Sequence, residues 1–235
     1  MISLVIGGKS GIGKSVVEVL RNRGDEVYTF SRRISKDENH ISIDFSSKAS
    51  IKKITDLLSN RLIDNLIFCH RYRGNDKEKE YLMTVEAVCD FIEALKNMFK
   101  KNSSIVLLSS PASNLIFDEQ PIEYHTSRAA LESLMRYYSE RLGAQGIRCN
   151  CILPGTLIKE ENKFFFTADN PVTKLIKEIT PLNNIGQSKD VANLVEFLCS
   201  NKASFISGQS ISVDGGLSVI AQESIARRMR DLKHE

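Results

Sequence analysis

The sequence predicts a single doubly wound α/β domain, with a parallel sheet of about seven strands and helices on both faces. Three observations predict it. Short apolar runs alternate with stretches of helical periodicity along the chain. The first run, Ile2 to Ile6, passes straight into Gly7, Gly11 and Gly13, and Val16, Val17, Val19 and Leu20 then begin a helical face. No linker, repeat or low-complexity stretch divides residues 1–235, so one domain is expected.

The helix after the glycines runs to about Arg23, and Gly24 suits the position just past its end. Val27 to Phe30 is a second strand and Ile41 to Asp44 a short third one. Ala49 to Asn60 is helical, with Ile51, Ile54, Leu57 and Leu58 on one face. Leu62 to Cys69 is a fourth strand, and the polar turn His70 to Asn75 follows it. Glu80 to Lys100 reads as one long helix on a stripe of Leu82, Val85, Val88, Cys89, Ile92, Leu95 and Phe99. Ser104 to Ser110 is a fifth strand, Glu123 to Leu142 a helix, and Ile147 to Leu153 a sixth strand stopped by Pro154 and Gly155. Residues 156–186 are mixed. Ser188 is placed to cap the helix through Cys199, with Asp190 in its first turn. Gln209 to Val213 is the last strand.

Composition narrows the function classes. An apolar content of 42% supports a sizeable core. Thirty-two basic and 29 acidic residues leave a net charge of +3, too balanced for a nucleic-acid-binding domain. No apolar run reaches the length of a membrane span, and the N-terminus lacks the charged start of a signal peptide. The five scattered cysteines read as reduced thiols in a cytoplasmic protein, and no cluster has metal-ligand spacing.

The glycine turn is an anion site, because backbone amides and a helix N-terminus converge there. Two nucleotides compete for it. Gly8 to Ser15 satisfies the phosphate-loop pattern G-x-x-x-x-G-K-S, whereas Gly7-x-x-x-Gly11-Ile12-Gly13 suits a dinucleotide turn that also presents Lys9 and Ser10. The second strand ends in Ser31, Arg32 and Arg33. An NAD site places an acid here, about 20 residues after the turn, to hold the ribose 2′-hydroxyl. A hydroxyl and two guanidiniums suit a 2′-phosphate instead, so NADP(H) is favoured over NAD(H).

Taken together, the chain resembles the short-chain dehydrogenase/reductase family over nearly its whole length. The resemblance rests on the Gly7/Gly11/Gly13 turn, Asp44 after the third strand, the serines after the fifth, and Tyr124-His-Thr-Ser-Arg128-Ala-Ala-Leu131. Further matches are Gly146 to Asn150 leading to Pro154-Gly155, Lys189-Asp-Val-Ala192, and Gly208 to Gly216. It implies a Rossmann-type fold, settles the turn as a dinucleotide site, and implies hydride transfer between NAD(P)(H) and a carbonyl or alcohol of a small-molecule substrate. It also implies assembly as a homodimer or homotetramer, and the apolar stripe Leu131, Leu134, Met135 and Tyr138 is the candidate contact. Ser110 takes the place of the carbonyl-polarising serine, with Ser109 open as the alternative, and Tyr124 that of the general acid/base. A phenol with an ordinary pKa near 10 needs a neighbouring cation to exchange protons at neutral pH. The other cofactor positions that the resemblance implies are Asp44, Phe45, Cys69, His70, Pro154 and Gly155, together with Tyr124 and Arg128 themselves.

Three positions depart from the family pattern. Arg128 stands where the family has lysine, one helical turn from Tyr124; it keeps the charge but cannot act as a neutral amine. The family's Asn-Asn-Ala-Gly is Phe68-Cys69-His70-Arg71, which either narrows the cofactor cleft or supplies new phosphate or substrate contacts. The family's helical asparagine falls near Met83, which cannot bond through its side chain. The alternative function is therefore a catalytically impaired dinucleotide-binding homologue that acts as sensor, scaffold or partner subunit. Residues 156–186 are the expected substrate lid, with Phe164-Phe165-Phe166 as its most apolar point, and the Arg227 to Arg230 run is expected to be a solvated face or tail.

Overall fold

A strand with few charges that runs into glycines belongs in the middle of a sheet covered on both faces. β1 (Ile2–Ile6) lies there in the computed structural model, which describes residues 1–235 except 46, 59, 60, 168 and 230–235. The chain continues through α1 (Gly11–Asn22), β2 (Glu26–Ser31), β3 (His40–Ser42), α2 (Lys48–Leu58), β4 (Ile63–Phe68), α3 (Lys77–Tyr81), α4 (Ala87–Leu95) and β5 (Phe99–Leu108). It then runs through α5 (Ile122–Gly143), β6 (Arg148–Pro154), β7 (Leu157–Ile158), α6 (Pro171–Ile179), β8 (Gly186–Gln187), α7 (Ser188–Leu198), β9 (Ser210–Val213) and α8 (Gln222–Met229). Seven strands form one parallel sheet in the order β3-β2-β1-β4-β5-β6-β9, as the apolar pattern predicts. β7 and β8 pair separately.

Strand periodicity divides the core. Leu4 and Ile6 face one side with Phe30, Leu66, Phe91, Leu131 and Met135, under α2, α4 and α5. Val5 faces the other with Val16, Leu20, Ile67, Val191 and Val195, under α1 and α7. The strand order reverses between β1 and β4, and a crevice at the carboxyl ends of such strands is where α/β sheets bind ligands. Two backbone bonds close this point: Gly7 N–H donates to Phe30 O at 2.7 Å, and Cys69 N–H to Ile6 O at 2.7 Å.

Four elements differ from the sequence expectation. The helix expected over 80–100 starts at Lys77, loosens into a π turn over Leu82–Glu86, and ends at Leu95. The apolar stripe continues to Phe99, but there it is the first residue of β5, paired with Ile63. Ser188 opens α7 rather than capping it. Gln187 is the cap, and its backbone N–H donates to Asp190 Oδ2 at 2.7 Å. β3 ends at Ser42, because the chain leaves the sheet edge before Asp44. The expected end of α2 at Asn60 lies outside the described residues.

The α5 stripe is consumed inside the chain. Leu131, Met135 and Tyr138 are buried in its own core, which leaves Leu134 half-buried. The stripe therefore does not by itself mark an interface. At the C-terminus, Arg227 is exposed and Arg228 Nη1 donates to Ile179 O at 3.1 Å; Arg230 lies outside the described residues. No helix among the described residues is long and apolar enough to cross a membrane.

Candidate active site

The glycine turn between β1 and α1 takes its shape from close backbone approach. A β-carbon on Gly13 would lie 2.2 Å from Gly7 O, so no larger residue fits there without moving the loop. Gly11 has a φ of +51° and faces the crevice. Ser10 occupies the N-cap position without a side-chain capping bond, and α1 has no acid in its first turn. The first amides of α1 are thus left for an external anion. A carboxylate already stands there: a β-carbon on Gly11 would meet Glu161 Oε1 at 2.9 Å. Lys14 Nζ, also on α1, pairs with Glu160 at 3.0 Å. Both acids come from the segment expected to form the lid.

At the end of β2, Arg32 and Arg33 are exposed, and neither guanidinium has an ion-pair partner among the described residues. Ser31 is turned inward. Its Oγ accepts from Arg33 N–H at 3.3 Å and lies 3.3 Å from His40 Nε2. Lys9 Nζ reaches across the turn to Ser35 Oγ. The donor set of amides, Lys9, Arg32 and Arg33 fits a pyrophosphate with a further phosphate beside it.

The residues after β4 are arranged differently from an open cleft. His70 stacks on Phe45, with ring centroids 5.0 Å apart, and donates Nε2–H to Met83 O at 2.6 Å. Any contact from His70, Phe45 or Cys69 to a cofactor would therefore run through backbone, since the Phe45 ring is buried and burial also pushes the Cys69 thiol up. Met83 bonds through the carbonyl of the π turn rather than through its side chain. Asp44 is exposed at the crevice edge, and its N–H donates to Ser50 Oγ at 3.0 Å. Gly155 N–H is taken by Val213 O at 2.9 Å, which fixes the Pro154–Gly155 corner against β9.

His70 Nδ1 is buried without a partner, and burial holds the ring at about 4, with the Arg128 charge adding to the depression. An unfolded histidine titrates near 6.5. The unfolded chain therefore takes up a proton between about 6.5 and 4 that the native chain refuses. Stability should fall as pH drops through that window, by up to ~1.4 kcal/mol per pH unit from this group. Urea midpoints at pH 7 and pH 5 measure it, and His70→Phe should flatten the difference.

Tyr124, Arg128 and Ser127 lie in the first turns of α5. Two guanidiniums lie over the Tyr124 ring: Arg128 Cζ is 4.7 Å and Arg71 Cζ 4.8 Å from its centroid. Arg128 is 2% exposed. Burial draws it below its ordinary value, while Tyr124 and Glu80 act to raise it. Its Nη2 donates to Glu80 Oε1 at 3.2 Å, and Ser127 Oγ and Thr84 Oγ1 donate to the same oxygen at 2.8 and 3.0 Å. Glu80 is thus the anion that permits a buried arginine here. It was not singled out from sequence, where it is one of several charged residues (Lys77, Glu78, Lys79) at the start of this helix and no local signal marks it.

The two serines have distinct positions. Ser109 is buried and donates Oγ–H to Arg128 O at 2.9 Å, which ties β5 to α5. Ser110 is half-buried, and its Oγ accepts from Ala112 N–H at 3.2 Å, leaving its own proton to donate. The turn it caps, Pro111–Ser113, packs on α5. A cavity of about 500 Å³ borders Tyr124 and Glu80, with Arg71, Arg73, Gln120 and Lys159 on its wall. Ser110 is not part of that wall. Phe164 is 81% exposed, so the three phenylalanines do not anchor this segment in the core. No group of three His, Cys, Asp or Glu residues is placed to hold a metal among the described residues.

Comparison with known proteins gives consistent matches. The family profile described as enoyl-(acyl carrier protein) reductase matches residues 73–218. A tropinone reductase homologue of Arabidopsis thaliana is 27% identical over 246 residues, covering 93% of this chain and 91% of the relative. An L-rhamnose 1-dehydrogenase (NAD(P)(+)) of Sphingomonas is 39% identical over 119 residues, 51% of this chain and 46% of the relative. Among solved structures, a short-chain dehydrogenase family protein from Francisella tularensis superposes with a TM-score of 0.81 at 26% identity, covering 93% of this chain and 99% of that one.

Proposed function

The chain belongs to the short-chain dehydrogenase/reductase family, and on that premise we propose that it is an NADP(H)-dependent oxidoreductase acting on a carbonyl or the corresponding alcohol. The family binds NAD(P). The observation that carries the reading is the Tyr124 ring at the wall of a cavity with the guanidiniums of both Arg71 and Arg128 over it.

When bound, the cofactor supplies or accepts the hydride. The amides of the Gly7–Gly13 turn and Lys9 would hold its pyrophosphate, and Arg32 and Arg33 the 2′-phosphate. Glu161 has to leave Gly11 for that, since two anions do not share one helix N-terminus. In reduction, Tyr124 Oη gives its proton to the carbonyl oxygen as hydride reaches the carbon, so the C=O becomes CH–OH. Ser110 Oγ donates a hydrogen bond to the same oxygen and stabilises the charge that develops on it. Arg128 and Arg71 stabilise the negative charge left on the phenol oxygen, and Glu80 keeps Arg128 in place. Arg128 thus works as a fixed charge, a role that requires no deprotonation.

NADPH should bind and be oxidised over a panel of aldehydes and ketones; binding without turnover of any of them would leave only the impaired-homologue reading. Replacing Arg32 and Arg33 together with Ala should weaken NADPH at least tenfold and leave NADH nearly unchanged. Each lost charge-assisted bond is worth about 1.5–3 kcal/mol, and tenfold is about 1.4. Calorimetric titration of both cofactors checks it, and equal loss for NADH would refute the 2′-phosphate assignment. We further propose a homodimer or homotetramer; exposed Tyr137 and half-buried Leu134 on α5 support an assembly contact, which light scattering tests.

A further inference from the structure

The wall of the cavity beside Tyr124 carries more cationic groups than the proton transfer itself uses. Arg71, Arg73 and Lys159 all line it. Arg73 is matched by Glu161 at 3.0 Å. Arg71 has no acidic partner among the described residues: its Nη2 donates to the neutral amide oxygen of Gln120 at 3.2 Å. Lys159 Nζ has no hydrogen-bond or ion-pair partner among the described residues, although its side chain is half-buried. Of the carboxylates on the wall, Glu80 is engaged by Arg128 and Glu161 by Arg73, while Glu119 stands exposed at the rim. Burial draws the Lys159 ammonium below its ordinary value; Glu161 acts to raise it, and the like charges of Arg71 and Arg73 act with burial. Arg71 is exposed and Lys159 half-buried, so both cations are open to an anion that enters the cavity. The cavity, at about 500 Å³, takes a small molecule.

We infer that the carbonyl substrate carries an anionic group, a carboxylate or a phosphate, that seats on Arg71 and Lys159 and so aims the carbonyl at Tyr124. This rests on the oxidoreductase reading for the chemistry, but the anion site stands on its own geometry. Arg71 links the two, because the same guanidinium that stacks on the Tyr124 ring faces the anion. An arginine offers two parallel N–H donors to either oxyanion, and Lys159 adds a point charge.

The test compares matched pairs with NADPH: 4-oxopentanoate against its methyl ester, and dihydroxyacetone phosphate against dihydroxyacetone. The expected result is that kcat/KM is at least tenfold higher for the anion of one pair; whichever pair shows it identifies the group as carboxylate or phosphate. Lys159→Met should narrow that ratio severalfold, and raised salt should narrow it further. Equal use of anion and neutral partner, or a ratio untouched by Lys159→Met, would overturn the inference and leave the oxidoreductase reading intact. Calorimetry of the same anions with the NADP⁺-loaded protein gives a readout without turnover. An anion that binds the native chain at least tenfold better than Lys159→Met, yet takes no hydride when NADPH replaces NADP⁺, would keep the anion site and refute the oxidoreductase reading. Neither binding nor turnover of any anion would overturn the inference outright.

Discussion

Tyr124→Phe should lower kcat by about 10²- to 10⁴-fold while NADPH affinity changes less than twofold. General acid catalysis by a positioned side chain contributes a factor of this size. The substitution removes one hydroxyl and keeps the ring. Arg71 and Arg128 approach the ring face at 4.8 and 4.7 Å, and a phenyl ring attracts a cation there as well, so both contacts should survive. KM should therefore stay near its native value, and the loss should fall on kcat, the pattern of an interaction made only in the transition state. Steady-state rates with one carbonyl substrate, together with a cofactor titration, measure both quantities. A kcat within threefold of native would show that Tyr124 is only a packing aromatic at the start of α5.

Glu80→Ala should destabilise the chain by about 3–5 kcal/mol, the usual cost of removing one partner of a buried ion pair. The side chains of Glu80 and Arg128 are 9% and 3% exposed, so the arginine left behind has little access to water. Ser127 and Thr84 also lose the acceptor that both of them use. For a domain of this length the loss corresponds to a fall in Tm of about 6–20 °C. The double variant Glu80→Leu with Arg128→Met should recover much of that stability, because it removes the stranded charge along with its partner. It should not recover activity, because Tyr124 then lacks one of the two cations over its ring. Thermal unfolding of the native, single and double forms measures the first effect, and turnover of the double form the second. A double form as unstable as Glu80→Ala would place the cost in the lost packing of this turn rather than in the ion pair.

How much of this was legible follows from how local each feature is. The sheet was readable because each strand is a short apolar run, and the alternation of Leu4 and Ile6 against Val5 is built into it. The glycine turn was readable because its requirement, backbone approach between Gly13 and Gly7, is met within a few residues. Arg128 could be paired with Tyr124 because one helical turn separates them. Glu80 could not be assigned, because its partner lies 48 residues away and only the packing of α3 against α5 brings them together. The same holds for Arg71 over Tyr124 and for Lys159, which enters from the segment after β6. The long helix was overextended because Phe99 satisfies the stripe at 92 and 95 and equally opens β5. Ser188 had the right chemistry for a cap, but the backbone turned one residue earlier, at Gln187.

The most direct test of the account is a single-turnover experiment in which the NADPH-loaded protein is mixed with a carbonyl substrate and nicotinamide absorbance is followed against product. The account predicts loss of one reduced nicotinamide per alcohol formed, in native protein, and a rate slowed at least a hundredfold in Tyr124→Phe. NADPH that binds at the glycine turn yet keeps its absorbance with every carbonyl offered would contradict it.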